Sequence, residues 1–347
     1  MESLYVLEPG AYLRREGGSL KVVRGDQVID HIPCSGLKRL MLIGYISLSG
    51  PVLDFLISNR VETVFVTPTG RFRARLGLDE HRHVALRKSQ YLGLSSEKFA
   101  LSQAQKIVEG KLINYLRFLM LRARQYQSEE LKNIILRLKP ICEYARTADN
   151  MEKLRGMEGL GTRLYFSAFP YLIRNKEFSF TGRNRRPPKD PVNAMLSFVY
   201  TLLTNEVLSA IKTCGLDPYL GALHEIEYGR PSLACDLVEE YRAYLGDRMV
   251  LGLINKKLVR PDDFIFRETG GSEFTDEKEM AEKRPVEMKP GISRTFIASY
   301  EEMMRQEIFY PPLEKKVTHR WLILNQARRF GKSLEKDEEL YQPFLWE

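Results

Sequence analysis

Residues 221–242 read GALHEIEYGRPSLACDLVEEYR. This stretch decides how the second half of the chain is organised. A loop carrying His224 runs into a Pro-Ser step, and an apolar-periodic helical segment follows from Ser232 to about Leu245. Ser232 is the expected N-cap, its hydroxyl accepting a free N–H of the first turn. Asp236 and Glu239 stand three apart and share a helix face, while Glu240 lies four beyond Asp236 and points elsewhere. Spacing does not decide which of these acids binds a ligand and which faces solvent. One imidazole beside carboxylates is the donor set of a hard-to-borderline divalent cation. A further acid, Glu158, lies far upstream between Gly156 and Gly159. Glycine costs a helix roughly 1 kcal/mol relative to alanine. The two glycines therefore mark a close approach, either by a ligand or by a neighbouring helix.

Composition bounds the rest. A chain of 347 residues suits two domains, and 44% hydrophobic with 28% charged residues is a packing chain, not a disordered one. No apolar run approaches the ~20 residues of a membrane span. MESLYVLEPG has neither the basic nor the apolar region of a secretory signal. Cys34, Cys142, Cys214 and Cys235 are too sparse for a disulfide framework or zinc knuckle, and imply reduced thiols in a cytoplasmic protein. A net charge of +8 favours a polyanionic partner without specifying one.

In order along the chain, short alternating runs rich in Val, Ile and Tyr fill residues 1–76, broken by Gly and Pro turns and one helical segment over 51–59. They predict a small β-sandwich-like domain. Residues 77–90 read as a linker, and 91–347 as a larger all-α domain, an α+β protein in sum. Helical patterns cover 87–94, 99–125, 128–145, 150–170, 191–214, 232–245, 293–309 and 317–330. On the second of these, Leu112, Leu116 and Leu119 form the apolar stripe, and Lys106, Lys111, Arg117, Arg122 and Arg124 occupy other, solvated faces. Residues 267–290 are polar and of mixed charge, an insertion with little core. Arg183, Arg185, Arg186 and Lys189 surround Pro187 and Pro188 in an extended loop. His81 and His83 lie beside positive charge, a poor place for a metal. No phosphate-binding loop, dinucleotide fingerprint or nucleophile elbow is present.

Three long segments in one order carry a resemblance: LRGMEGLGTRLYF (154–166), RNRRPPKDPVNAMLSFVYTLL (183–203), and GLDPYLGALHE with GRPSLACDLVEEYR (215–242). The tail NQARRF…YQPF (325–344) fits as well. Together they are similar to the CRISPR-associated adaptation integrases, metal-dependent DNases that insert new spacers into CRISPR arrays. The resemblance implies Glu158, His224 and Glu239 as ligands of Mg²⁺ or Mn²⁺, with Asp236 assisting in catalysis. It places Tyr165 and Asn193 near the site, beside the basic loop, in contact with DNA. It implies homodimers formed through the β domains, two of which clamp a dimer of a small companion adaptation protein in a heterohexamer. The partners it implies are double-stranded DNA, both spacer precursor and repeat, and no membrane. Two other readings stay open: a structure-selective repair nuclease with the same site, and a non-catalytic DNA-binding scaffold.

Overall fold

The computed structural model describes residues 2–8, 10–67, 72–77, 83–184, 187–267, 285–335 and 339–346. The chain forms two compact units, Met1–Glu80 with Ile265–Arg294, and His81–Phe264 with Thr295–Glu347. The polar stretch after Ile265 thus returns to the first unit, although 268–284 lie outside the described residues.

In the first unit, β1 (Ser3–Val6), β5 (Arg39–Ile43) and β7 (Glu62–Val66) run parallel, and β8 (Phe72–Arg75) closes the edge antiparallel to β7. A second sheet has the order β4 (Gln27–Pro33), β3 (Ser19–Arg24), β2 (Tyr12–Glu16), β6 (Ser47–Leu48). Alternation does the work: Leu20 and Val22 from one sheet, and Leu40 and Leu42 from the other, enter a single core. Helix α1 (Gly50–Ser58) adds Val52 and Leu56 to it. Strand β8 escapes a sequence reading because FRAR has no alternating apolar face. Arg75 instead meets Glu62 of β7 at 2.9 Å.

The second unit begins with α2 (Val84–Leu94), inside the expected linker, and α3 (Glu97–Tyr126), the longest helix. The next three are α4 (Glu129–Arg146), α5 (Met151–Ser167) and α6 (Phe169–Leu172). Caps are local: the Ser128 hydroxyl accepts the N–H of Leu131, Asn150 that of Lys153, and Asp190 that of Asn193. Helix α7 (Pro191–Thr213) is long and apolar enough, by length and composition, to cross a membrane, with a mean hydropathy of 1.4. That corrects the expectation that no such run exists. Its residues are mostly buried against the unit's other helices, so it reads as a core helix. After α8 (Ser232–Leu237) and α9 (Glu239–Tyr241), a π-helical stretch Arg242–Asp247 leads into α10 (Arg248–Asn255).

Near the C-terminus, α11 (Pro290–Arg305) stops earlier than periodicity suggests. Glu307–Tyr310 pairs antiparallel with Lys315–Thr318, and Phe264–Phe266 pairs with Val286–Met288, so the expectation of an all-α stretch over 91–347 gives way, among the described residues, to helices plus two short strand pairs. Pro311 and Pro312 make the turn, which no helix could continue through. Helix α12 (His319–Lys332) follows. Residues 341–346 then lie along α3. Asn114 donates to the carbonyls of Glu240 and Phe344, and accepts from the N–H of Trp346. The Tyr341 hydroxyl and the Phe344 N–H both donate to the Glu240 carboxylate, at 2.7 and 2.5 Å. Burial pushes the Glu240 carboxyl up to about 7, against the pull of these donors.

Close approach falls where the sequence reading did not put it. Gly156 and Gly159 have open space where a Cβ would stand, whereas a Cβ on Gly161 would lie 2.4 Å from Leu112 Cδ2. Gly161 is therefore the contact that seats α5 on α3. We expect Gly156→Ala to stabilise the unit by up to about 1 kcal/mol and Gly161→Ala to destabilise it by about 1–3 kcal/mol, as measured by urea unfolding. A second expectation concerns pH. Because Glu240 titrates higher in the folded chain, its contribution is fully present below about pH 4.5 and is lost as pH rises through about 7. Glu240→Gln should thus gain on wild type, by an amount on the order of 1–3 kcal/mol, between about pH 5 and pH 8. A difference in melting temperature that does not vary with pH would contradict this.

Candidate active site

Asp236 is fully buried on α8 and acts as an anchor for the loop before it. One carboxylate oxygen accepts the N–H groups of Ala222 and Leu223, at 2.7 and 3.0 Å. The other accepts the N–H of His224 at 3.1 Å and sits 2.6 Å from His224 Nδ1. A proton on Nδ1 then faces the carboxylate, which leaves the Nε2 lone pair as the ring's free donor. Such close packing of chain on chain needs Gly221, whose added Cβ would stand 2.5 Å from Asp236 Oδ2. Asp236 thus orients the imidazole, and the single helix expected from Ser232 to Leu245 is divided into α8, α9 and a π-helical stretch. Ser232 is not the N-cap. It is the first residue of α8, and its hydroxyl donates to the carbonyl of Glu225, fastening the same loop. Arg155 of α5 holds that loop from the other side through the Leu223 carbonyl, at 2.8 and 3.0 Å, and pairs with Glu225.

One turn along α5 from Arg155, Glu158 turns toward α3. There Lys111 Nζ bonds Glu158 Oε1 and stands 2.8 Å from Glu239 Oε2. Thr162 also donates to Glu158, and Arg242 lies 3.3 Å from the other oxygen of Glu239. Two acids from separate helices thus converge on one cationic group. Burial drives the Glu239 carboxyl up, but Arg242 and Lys111 outweigh it and bring it down to about 2, with a smaller pull from His224. Burial works against the Lys111 charge as well, and Glu239, Tyr115 and Glu158 reverse it, holding the ammonium above the ordinary lysine range. Among the described residues, no three His, Cys, Asp or Glu side chains form a ready-made metal-holding group. The cation between Glu158 and Glu239 is an ammonium. Their facing oxygens, with Nε2 of His224, are the donor types a hard divalent ion takes.

Lys111 was placed on a solvated face by sequence, yet its side chain is 1% exposed. The signal was present: Ala104, Ile107, Val108, Tyr115 and Phe118, all buried, put position 111 on the apolar stripe. Glu240, open to assignment by spacing, turns to the tail instead. Gln90 was also missed. It is buried and clamps the turn before the histidine loop, through the carbonyls of Asp217 and Leu220 and the N–H of Asp217.

The residues expected to touch DNA divide. Tyr165 is fully buried, stacked on Tyr115 at 3.7 Å, and its hydroxyl donates to Asp247. Tyr200 donates to the other Asp247 oxygen, and burial still lifts that carboxyl to about 6. Asn193 is also buried. It accepts from Arg183 and from the N–H of Asn184, and donates to Asp190 and the Gly182 carbonyl. Tyr165 and Asn193 therefore support the site from within and are not DNA contacts. Arg183 reaches inward to Asn193, Ser197 and the Tyr200 ring. Lys189 is exposed, and Arg185 and Arg186 lie outside the described residues. Beside this loop opens a cleft of about 560 Å³, lined by Thr162, Arg163, Phe166, Phe180 and Arg183 among others. Thr162, bonded to Glu158, joins cleft and carboxylate.

Known proteins resemble this chain in sequence and in fold. A family profile described as "CRISPR associated protein Cas1" matches residues 4–281. The chain is 37% identical over 343 residues to the CRISPR-associated endonuclease Cas1 3 of Thermus thermophilus, covering 98% of this chain and 96% of that one. Its fold matches that of a casposase bound to integration product, with TM-score 0.79 and 21% identity, over 100% of this chain and 95% of that one. It also matches a chain of a Cas6-RT-Cas1–Cas2 complex, with TM-score 0.78 and 23% identity, over 96% of this chain and 34% of the longer one. With the three sequence segments meeting in one place, and a profile and a relative that both span most of the residues, the chain belongs to the Cas1 family of CRISPR-associated proteins.

Proposed function

We propose that this protein is a DNA endonuclease and integrase of CRISPR adaptation, working in the cytoplasm on double-stranded DNA. The observation that carries the reading is the convergence of Glu158 and Glu239, from separate helices, on one cation, while Asp236 fixes the His224 ring on the loop before α8. The endonuclease name of the Thermus relative and the casposase fold support it. Glu158, Glu239 and Nε2 of His224 would hold Mg²⁺ or Mn²⁺. Such an ion, when bound, neutralises phosphate charge and stabilises the oxyanion of phosphodiester attack. In that attack the 3′-hydroxyl of incoming DNA bonds to phosphorus, and the strand's own 3′-oxygen leaves. With water in place of the hydroxyl, the product is a cut.

Each side chain then has a task. Asp236 keeps the imidazole in one tautomer and orientation. Arg242 and Lys111 keep Glu239 ionised inside the protein. Thr162 fixes the Glu158 rotamer beside the cleft, whose inner wall is formed by the buried Phe166 and Phe180. Lys189 offers a phosphate contact. Homodimers clamping a dimer of a small companion protein remain part of the proposal, supported by the family resemblance and by the Cas1–Cas2 neighbour.

Strand transfer of a short duplex into a repeat-bearing plasmid tests the reading. His224→Ala and Glu158→Ala should each lose roughly 100-fold or more of a metal-dependent activity, and Asp236→Asn about 10–100-fold, as for a residue that orients a ligand. Cleavage without joining would favour a repair nuclease, and DNA binding with neither a scaffold. Salt dependence tests the basic loop. Removing one phosphate contact flattens the slope of log K against log salt by about 0.9. Lys189→Ala should do so, whereas Arg183→Gln should lower thermal stability, because its guanidinium is spent on Asn193 and Ser197.

A further inference from the structure

We infer that Lys111 is a built-in counter-ion that competes with a divalent cation for Glu158 and Glu239, and so sets how tightly this site binds metal. The inference rests on the metal reading above. Its basis is the position of one side chain. Lys111 is 1% exposed, and its ammonium bonds an oxygen of Glu158 and stands 2.8 Å from an oxygen of Glu239. Those glutamates come from α5 and α9, and α3 packs against both. The lysine therefore stands at the seam where the three elements meet. Two carboxylates brought this close repel each other, and Glu239 is only 4% exposed, so water does little to screen it. An ammonium with three donors relieves that repulsion whether or not a metal is present.

The same contact has a second effect. The oxygens that face Lys111 are the ones that face each other, and a metal ion bridging both glutamates needs their lone pairs. The other Glu239 oxygen is engaged by Arg242 at 3.3 Å. A divalent ion must either displace the ammonium or settle beside it at the cost of like-charge repulsion. In both cases the lysine weakens binding. A side chain serving packing alone would act the other way, since its removal would loosen the ligands and weaken the metal further.

The test is metal affinity, measured apart from DNA chemistry. Free Mn²⁺ is titrated by electron paramagnetic resonance against the full chain, as wild type, Lys111→Met and Lys111→Arg. Lys111→Met should bind Mn²⁺ at least tenfold more tightly than wild type and gain more melting temperature on saturation. Lys111→Arg, which keeps the charge, should stay within a few-fold of wild type. Unchanged or weaker binding by Lys111→Met overturns the inference while leaving the metal reading intact. No binding by wild type or by Lys111→Met sinks the metal reading and this inference with it. Binding by the methionine variant alone supports both. If Lys111→Met does not fold, wild type labelled at lysine Cε and Nζ decides the matter. Titration with Mg²⁺ should shift the Lys111 ammonium resonance, identified by its loss in Lys111→Arg. A resonance that stays fixed while Mg²⁺ binds overturns the inference.

Discussion

A carboxylate taken out of water has to be met by donors, and the helical unit buries four of them between Asp236 and Asp247. Each is satisfied from a different direction. Asp236 collects the loop 222–224, Glu239 faces Lys111 and Arg242, Glu240 receives the tail, and Asp247 receives Tyr165 and Tyr200. A regular helix would line up acids at i, i+3 and i+4 on neighbouring faces. Here α8 ends at Leu237, α9 is a single turn, and a π-helical stretch follows. With four acids paired with four different partners, one short segment ties loop, helices and tail together. π-Bulges are frequent at functional sites.

The chemistry of the site follows from the same arrangement. His224 is not positioned by its own backbone alone, because the Asp236 carboxylate grips both the loop amides and the ring. Glu239 is held charged inside the protein by two cations, and Glu158, partly exposed, reaches the same place from α5. Behind them the Tyr115–Tyr165 stack and the Asp247 hydroxyl pair form a rigid backing. The site thus has a buried, hydrogen-bonded rear and one accessible side, as pre-organised phosphodiester chemistry requires.

Much of this was legible beforehand, for physical reasons that differ by residue. Period-two alternation announced the strands with apolar faces, and failed for Phe72–Arg75, whose partner contact is ionic. Glu158, His224 and Glu239 could be named from their segments, but their meeting is a matter of tertiary geometry. Lys111 was mistaken for a solvent residue because charge was weighed above periodicity. Arg183, Tyr165 and Asn193 were read outward because basic and aromatic residues suit nucleic acid, yet all three satisfy one another's neighbourhood within the fold. Glycine next to Glu158 suggests close packing, whereas the packed glycine is Gly161, on the turn beyond. Side-chain type alone does not tell inward from outward on an amphipathic helix. The full register of the stripe does.

The docking of residues 341–346 has a temporal side as well. Tyr341 is joined to the polypeptide 101 residues after Glu240, and Phe344 104 residues after it. While the ribosome is still extending the intervening chain, Glu240 and Asn114 have none of the tail's groups to bond. The nascent helical unit therefore cannot finish its interior in the order in which it is synthesised. Closure waits on pairings such as Asn114 with Trp346, 232 residues apart, which makes this unit slow to complete and dependent on residues 341–346.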